Sequence, residues 1–410
     1  MEKTLKFVTE HLNDDVARLV LDRARWSEVD IDLAIACIES RRKLRNKVNE
    51  WYENGSLVFP VKLSAEQCSS TATGLYKSYL ASRIAGKGFR LADLTGGLGV
   101  DSWFFSKKAS EVMYNEMQQP LCEAAAHNFK VLGTSNITIS NKIASTETLD
   151  ELIGAFSPDI IYLDPARRGE GGKKVFLIED CMPDVLGLKE SLFRHTRHIL
   201  LKLSPMADIS MVCSRLGDTC REVHIVAAGG ECKELLVWMD KEWSGGYSIT
   251  AAELPADYPA SEASLFAFSP DAEKEKNAEI CNEMPSEGTF LFEPGKALMK
   301  SGCFNLIGRK LDMIKLGRST HFYLTEDAKK AEDLKKLGRV YRIISCTSLD
   351  KRSIKEAGRT YPRAEVTARN IPMDTDTLRK KLGVTSGDDA HIFGLKSDSM
   401  GNLLIIARKV

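Results

Sequence analysis

The stretch Asp93–Asp101 constrains the fold of this 410-residue chain more than any other feature. It reads Asp-Leu-Thr-Gly-Gly-Leu-Gly-Val-Asp, follows an apolar run typical of a buried strand, and precedes a helical pattern over 102–108. In a strand–glycine turn–helix unit, backbone N–H groups and the positive end of the helix face a ligand, which the glycines allow to approach. The stretch therefore predicts a ligand-binding turn, although a plain strand–helix connection can also be rich in glycine.

Strand and helix patterns alternate from Phe89 to about Trp238. Alternation at this spacing predicts a parallel sheet covered by helices on both faces. The predicted strands are 89–94, 111–116, 137–140, 159–163, 198–203, 222–227 and 234–239, and the predicted helices are 121–132, 146–156, 175–194 and 207–216. Only Gly229, Gly230 and a few polar residues separate the last two strands, which is too short for a crossover helix. We therefore expect those strands to form an antiparallel hairpin.

The flanking regions differ in pattern, and the length allows two or three domains. Residues 1–85 read as helical, 246–295 as a connecting segment rich in Pro, Ser, Ala and Glu, and 296–410 as a small α+β domain. The α/β region between them takes 86–245.

Two local features upstream of the glycine turn leave alternatives open. The helical pattern at 31–52 includes five cations that indicate either a solvated face or a nucleic-acid contact, namely Arg41, Arg42, Lys43, Arg45 and Lys47. The polar string at 68–73 could fold over a cofactor pocket or form a helix of small residues packed on the sheet.

Charge is divided unevenly along the chain, although the formal net charge is zero. Residues 296–410 contain 24 Lys and Arg against 13 Asp and Glu, whereas residues 1–295 contain 33 against 44. Such an asymmetry suggests a basic module attached to an acidic one. Cations there are interleaved with Phe322, Tyr323, Tyr341 and Tyr361, a combination that RNA binding uses for phosphates and unstacked bases. The alternative is a surface that is basic only for solubility.

The ten cysteines contain no C-x-x-C pair and no metal-ligand cluster, which indicates reduced thiols and no metal site. The first residues are charged and lack the apolar core of a signal peptide. No apolar run approaches the ~18 residues of a membrane span. We therefore expect a cytoplasmic protein without a membrane partner.

A glycine turn of this kind binds a dinucleotide or another adenosine-bearing cofactor. The segment 97–102 nearly satisfies G-x-G-x-x-G/A, and Glu116 ends the second strand, where it can accept from ribose hydroxyls. Two observations favour another adenosine-bearing cofactor over a dinucleotide. Asp93 would repel a pyrophosphate, and a dinucleotide-binding fold does not need the hairpin predicted at the end of this sheet. In addition, Asp164-Pro165 ends the fourth strand at the edge where open α/β sheets hold reactive groups.

Over about 89–238 the chain resembles the class I S-adenosylmethionine-dependent methyltransferases, with the ribosomal RNA guanine-N2 enzymes as the nearest comparison. The resemblance is carried by 93–99, Glu116 and Leu163-Asp164-Pro165 together. The segments 292–297 and 301–302, with the basic tail, resemble bacterial methyltransferase-like proteins that carry a THUMP-like domain. The resemblance implies an α/β fold: a seven-stranded Rossmann-like sheet, an N-terminal helical region and a C-terminal α+β domain. Because true THUMP domains bind tRNA, it also implies an RNA partner.

The resemblance also implies roles for individual residues. Asp93 and the turn 96–99 would hold the methionine moiety, Glu116 the ribose, and Asp164 and Pro165 would border the target nucleotide. The cofactor-binding residues for S-adenosylmethionine would be Asp93, Thr95, Gly96, Gly97, Gly99, Glu116 and Asn141, and the catalytic residues Asp164, Pro165 and Arg167. Thr95 stands where many members have glycine. Asn141 stands where an adenine-binding acid is usual, although its amide could still accept from an exocyclic amine.

Residue types that the sequence lacks after two of the strands narrow the choice of the atom that accepts the methyl group. Ala166 and Arg167 replace the proline and aromatic residue that exocyclic-amine methyltransferases usually place after Asp-Pro. The segment 202–205 lacks the cysteine that carbon-5 pyrimidine methylation needs. Transfer to a ring or exocyclic nitrogen therefore fits best. Four cations around the glycine-rich loop 169–172 would contact phosphates or bases, unless the loop is only a surface turn: Arg167, Arg168, Lys173 and Lys174.

Two other functions compete with this interpretation. A non-catalytic RNA-binding protein that retains the fold would explain the unusual Asp-Pro-Ala-Arg. A nicotinamide-dependent oxidoreductase lacks a hydride-transfer constellation in this sequence.

Overall fold

The computed structural model describes residues 1–167 and 177–410, and only the backbone of Arg167. The chain forms two compact units, one of residues 1–224 and 233–247 and the other of residues 225–232 and 248–410. Within those described ranges, no helix has both the length and the apolar character that a membrane span requires. The domain boundaries expected at 85/86, 245/246 and 295/296 stay predictions.

The helices, including those that were expected before residue 85, are α1 Glu2–Glu10, α2 Val16–Leu21, α3 Ile31–Leu44, α4 Asn49–Glu53, α5 Lys62–Gln67, α6 Thr71–Ala85, α7 Val100–Ser106, α8 Gln119–Val131, α9 Leu149–Ile153, α10 Val185–His195, α11 Ile209–Leu216, α12 Pro270–Lys274, α13 Lys296–Ser301, α14 Phe304–Lys310, α15 Ala328–Leu334, α16 Lys351–Thr360 and α17 Thr375–Leu382.

The strands are β1 Arg90–Asp93, β2 Glu111–Asn115, β3 Ile137–Ser140, β4 Ile160–Leu163, β5 Ala166–Arg167, β6 Cys181–Met182, β7 His198–Leu203, β8 Cys220–Ala228, β9 Glu231–Asp240, β10 Ser248–Leu254, β11 Ser264–Phe268, β12 Phe290–Pro294, β13 Ile314–Lys315, β14 Tyr323–Thr325, β15 Gly338–Ser348, β16 Arg363–Arg369, β17 Thr385–Ser397 and β18 Gly401–Lys409.

The predicted α/β region forms a sheet in the order β3-β2-β1-β4-β7-β9-β8. Strands β1, β2, β3, β4 and β7 run parallel, and β9 runs antiparallel to β7. Gly229 and Gly230, with φ of 61° and 77°, connect β8 to β9. Two consecutive positive φ values are what a tight hairpin turn requires, so the expected hairpin is confirmed.

The large sheet has nine strands in total, not the seven expected. The two additional strands, β10 and β11, form an antiparallel pair inside the segment that the sequence suggested was only connecting. The alternation of β10 is weak because this strand is buried along most of its length, including Ala251 and Ala252. A strand buried on both faces lacks the polar–apolar alternation that identifies a strand in a sequence.

The cations of α3 and of the turn after it hold the N-terminal helices together. Arg41 is buried, and its Nε donates to the Tyr52 carbonyl at 2.6 Å, while Arg42 Nε donates to the Leu12 carbonyl at 2.7 Å. Lys47 Nζ donates to the carbonyl oxygens of Ala65 and Cys68, both at 3.3 Å. These contacts favour a structural role over either a fully solvated face or a nucleic-acid contact.

The second unit contains a seven-stranded sheet in the order β13-β14-β12-β15-β18-β17-β16. All its neighbouring strands are antiparallel except β16 and β17, which are parallel. Helices α16 and α17 cover one face through apolar residues such as Ile354 and Leu378. This is the expected α+β domain.

One expectation for this domain is wrong. Phe322, Tyr323 and Tyr341 were expected to offer faces to unstacked bases, but each is at most 3% exposed. All three rings lie in the core, where Tyr341 packs edge-on against Phe393 with centroids 4.9 Å apart. Only Tyr361 of the four remains partly exposed.

Candidate functional site

A cavity of about 620 Å³ opens in the first unit at the carboxyl ends of β1, β2 and β4. Open α/β sheets bind ligands at this edge. Six of the residues predicted from the sequence line the cavity: Asp93, Thr95, Gly96, Gly97, Glu116 and Asp164. Residues that are far apart in sequence therefore share one site, as strand-end positions in a parallel sheet should.

Asp93 ends β1 inside the protein, with 1% of its surface exposed. Ser102 Oγ donates to its Oδ2 at 2.6 Å, and the Thr95 N–H donates to its Oδ1 at 3.1 Å. Burial raises the pKa of Asp93 to about 7, although these two hydrogen bonds lower it. The side chain therefore changes charge near neutral pH, beside the cavity.

The glycines of the turn serve different purposes. A Cβ on Gly96 would lie 2.2 Å from the Tyr114 ring, and Gly99, the N-cap residue of α7, has φ of 90°, where L side chains are strained. Gly97 also has positive φ, at 53°, but a Cβ there would meet no protein atom nearer than 3.9 Å. Because Gly97 lines the cavity, its missing side chain leaves room for a ligand.

Glu116 lies where β2 ends, and each of its oxygens accepts a backbone hydrogen bond. Oε2 accepts from the Gly97 N–H at 2.9 Å, and Oε1 accepts from the Gln118 N–H at 2.9 Å. An ionised carboxylate has about four lone-pair sites. Glu116 is therefore fixed in position and retains the capacity to accept from a ribose diol.

Asn141 is placed differently from the other cofactor-binding candidates. Its Nδ2 donates to the Glu116 carbonyl at 2.6 Å, and the residue is not part of the cavity lining, which here comes from the next residues, 142–146. Its contact with the adenine stays a prediction. In the structure, its amide ties the segment after β3 to the end of β2.

Asp164 is the first residue after β4 and is about one-third exposed. Its N–H donates to Thr95 Oγ1 at 2.6 Å, so Thr95 links the two strand ends. Lys202 Nζ, from the end of β7, donates to Asp164 Oδ2 at 2.5 Å. Burial lowers the pKa of Lys202, but Asp164, Asp101 and Glu234 raise it more, so the net pKa is above its ordinary value. Lys202 therefore stays charged and holds Asp164.

The other two catalytic candidates are Pro165 and Arg167. Pro165 is buried and does not line the cavity, whereas Ala166 after it does. Of Arg167 only the backbone is described, and Arg168, Lys173, Lys174 and the loop 169–172 lie outside the described residues. Contacts from these cations to RNA stay predictions.

A buried charge network lies behind the cavity. Lys77 of α6 is fully buried, and its Nζ lies 2.7 Å from Glu234 Oε1 in β9 and 3.3 Å from Asp101 Oδ1 in α7. Ser69 Oγ and Tyr162 Oη donate to Asp101 Oδ2 at 3.1 and 2.8 Å. Burial raises the pKa of Asp101, but Lys77 and Lys202 lower it more, so this carboxylate stays ionised.

Reasoning from the sequence missed several of these residues. Lys77 is the one charged residue among the small, aromatic and apolar residues at 72–82 of α6, a pattern that indicates a buried charge. Its partner Glu234 lies 157 residues away, and no local pattern connects the two. The two alternatives for the polar string both hold in part, because Cys68 and Ser69 line the cavity whereas Thr71 begins α6.

The cavity fits S-adenosylmethionine in three respects. Gly97 leaves open space beside the turn. Asp101 Oδ1 is buried, lines the cavity and has no hydrogen-bond partner within the described part of the chain, although Lys77 lies close. Asp93 and Asp101 at one end suit an ammonium group, and Glu116 suits a ribose.

Comparison with known proteins supports the fold. Residues 338–409 match a family of THUMP domain-like sequences, and residues 290–331 match a ferredoxin-like domain. A candidate methyltransferase from Porphyromonas gingivalis W83 is 29% identical, covers 99% of this chain and 97% of its own, and superimposes with a TM-score of 0.84. No curated protein sequence matches significantly.

Two further structures align with part of the chain. An rRNA methylase from Streptococcus thermophilus is 12% identical over 40% of this chain and 94% of its own, with a TM-score of 0.31. A candidate methyltransferase from Streptococcus mutans, in complex with SAH, is 11% identical over 40% of this chain and 95% of its own, with a TM-score of 0.30. At these TM-scores the assignment rests on the Porphyromonas gingivalis structure. The chain therefore has a methyltransferase fold of class I that ends in a THUMP-like domain.

Proposed function

We propose that this protein is an S-adenosylmethionine-dependent methyltransferase that modifies a base nitrogen of structured RNA, either tRNA or rRNA. One observation carries the proposal: a single cavity at the sheet edge is lined by Asp93, Gly97, Glu116 and Asp164. These residues supply a carboxylate for an ammonium group, space beside a turn, an acceptor for a ribose, and an acceptor for a substrate.

S-Adenosylmethionine, when bound, supplies a methyl group already activated by the sulfonium, so the protein must mainly position a nucleophile. Asp164 would accept a hydrogen bond from the N–H of the target base and so orient the nitrogen lone pair. Lys202 holds that carboxylate in place from β7. The apolar residues Leu94 and Ala166 would limit water near the transferred group.

The RNA part of the proposal rests on the second unit. Its THUMP domain-like match and the excess of cations in residues 296–410, 24 Lys and Arg against 13 Asp and Glu, both support a polyanionic partner. Four of those cations, Lys351, Arg352, Lys355 and Arg359, lie exposed on α16.

Two measurements test the function. Calorimetry should give an S-adenosylmethionine dissociation constant below ~1 mM, the value that corresponds to ~4 kcal/mol. RNA from cells that lack the protein should take up labelled methyl groups with the wild type, and about a hundredfold more slowly with Asp164→Ala. Mass spectrometry of the nucleosides would then identify the modified atom. Absence of both binding and incorporation would refute the proposal.

The second candidate function is a non-catalytic RNA-binding protein. Ala166 and Arg167 favour it because they replace the residues that usually orient the base after Asp-Pro. This candidate predicts that the wild type binds RNA without methyl incorporation, and that Asp164→Ala changes neither property.

A further inference from the structure

The position after Asp164-Pro165 is occupied by Ala166, whose methyl group is too small to cover the face of a base. If the proposed function holds, a planar acceptor still needs a surface that fixes its tilt relative to Asp164, because the methyl transfer depends on orientation. Another side chain that lines the cavity near Asp164 must therefore provide that surface.

Strand pairing brings a second side chain to this position. Ala166 of β5 lies directly opposite Met182 of β6 in an antiparallel pair. Side chains of directly opposed residues project from the same face of a sheet, with Cβ atoms about 5 Å apart. Ala166 and Met182 both line the cavity, as this geometry requires, and Pro183 lines it beside them.

Met182 is also unusually accessible for a large apolar side chain. It is 46% exposed, although it lies in a lined cavity and not on a convex surface. A thioether packs favourably against aromatic rings and adapts to their shape. The uncovered side chain therefore has the size, position and chemistry to contact a heteroaromatic ring next to Asp164.

We infer that Met182 forms the apolar surface on which the planar acceptor base rests, in place of the proline and aromatic residue that Ala166 and Arg167 replace. This inference rests on the proposed function and extends it by assigning a specificity-determining residue. The acceptor class is a heteroaromatic ring that bears an N–H: its face contacts Met182, and its N–H donates to Asp164. An aliphatic amine would gain nothing from Met182.

Methyl NMR tests the contact without requiring turnover. The full chain is labelled with [methyl-13C]methionine and saturated with S-adenosylhomocysteine, and the Met182 signal is assigned with Met182→Leu. Addition of RNA from cells that lack the protein should move the Met182 methyl signal upfield by the ring current of the base. Met211, which is 40% exposed on α11 and does not line the cavity, serves as the matched control and should not move.

Kinetics supply a second test. Met182→Ala should lower kcat/KM for RNA about 2- to 10-fold, the range expected for a thioether–aromatic contact, with unchanged S-adenosylhomocysteine affinity. Met182→Phe should retain or exceed wild-type activity, because a phenyl ring also stacks on bases. A residue with only a structural role would not show this recovery.

Three results would overturn the inference. The Met182 signal could respond to S-adenosylhomocysteine and not to RNA, which would assign the side chain to the cofactor. Met182→Ala could match the wild type in kcat/KM, or Met182→Phe could be as impaired as Met182→Ala. If the wild type binds RNA, shifts the Met182 signal and transfers no methyl group, the proposed catalysis fails while the contact stands.

Discussion

At the scale of single residues, Asp93 combines burial, satisfied hydrogen bonds and a position beside the cavity. Its carboxylate accepts from Ser102 and Thr95 without an adjacent cation in direct contact among the described residues. Such a group is ionised only at the cost of desolvation, and a cationic ligand would offset that cost. The proposed function therefore links ligand binding to the charge of Asp93.

This linkage predicts that S-adenosylmethionine binds more tightly as the pH rises. The pKa of Asp93 is raised to about 7; below that pH the side chain is neutral and attracts no ammonium group, and above it the carboxylate is charged. Full coupling to one proton would make the dissociation constant about five times larger at pH 6 than at pH 7, a range in which the α-amino group of the ligand stays mostly protonated. Calorimetry across this range measures it.

The matched control is Asp93→Asn, which keeps the side-chain shape and cannot ionise. Its affinity should be weak and independent of pH between 6 and 7. A wild-type affinity that is equally flat would show that Asp93 does not contact the cationic part of the ligand.

At the scale of elements, the buried network joins α6, α7 and β9 behind the site. Lys77 is 0% exposed and forms ion pairs with both Glu234 and Asp101. Breaking a buried pair by removing one partner is costly because the other charge stays buried. The same network positions Tyr162 and Ser69 next to the cavity wall.

Lys77→Met should therefore lower the free energy of unfolding by about 3–5 kcal/mol. All five tryptophans of the chain lie in the first unit, so urea unfolding followed by tryptophan fluorescence reports on that unit. Lys62→Ala, which removes a half-exposed pair with Glu39, should cost less than about 1 kcal/mol. Similar effects of the two substitutions would mean that the Lys77 network contributes little to stability.

Local sequence patterns predicted the features that depend only on residues close together in the sequence. The glycine turn, the carboxylates at the ends of β1, β2 and β4, and the Gly229-Gly230 hairpin all follow from spacing and residue type. The pairing of Lys77 with Glu234 could not be predicted, because it depends on how distant segments meet. The place of Met182 in the cavity could not be predicted for the same reason, because it depends on the pairing of β6 with β5. The buried alanines of β10 carry no alternation from which a strand could be recognised.

At the scale of the whole molecule, the cations of the second unit fall into two groups, those that form ion pairs with carboxylates and those that are free to contact a phosphate. Within the described ranges, Lys351, Arg352, Lys355 and Arg359 of α16 have no carboxylate within ion-pairing distance, and all four are exposed. Other cations of the same unit form ion pairs, among them Arg318 with Asp398, Lys330 with Asp312, Lys335 with Glu332 and Arg363 with Asp389. Unpaired cations are the ones available to phosphates.

Replacing the four α16 cations by alanine in the full chain should therefore weaken RNA binding more than replacing Arg318, Lys330, Lys335 and Arg363, although both variants remove four positive charges. For every phosphate that the protein no longer neutralises, the slope of log affinity against log salt should fall by about 0.7–0.9. S-Adenosylmethionine affinity should be unchanged in both, because the cavity lies entirely in the first unit. RNA binding titrated at several salt concentrations measures the difference. Equal weakening in the two variants would mean that RNA responds to net charge alone and that α16 is not a specific contact surface.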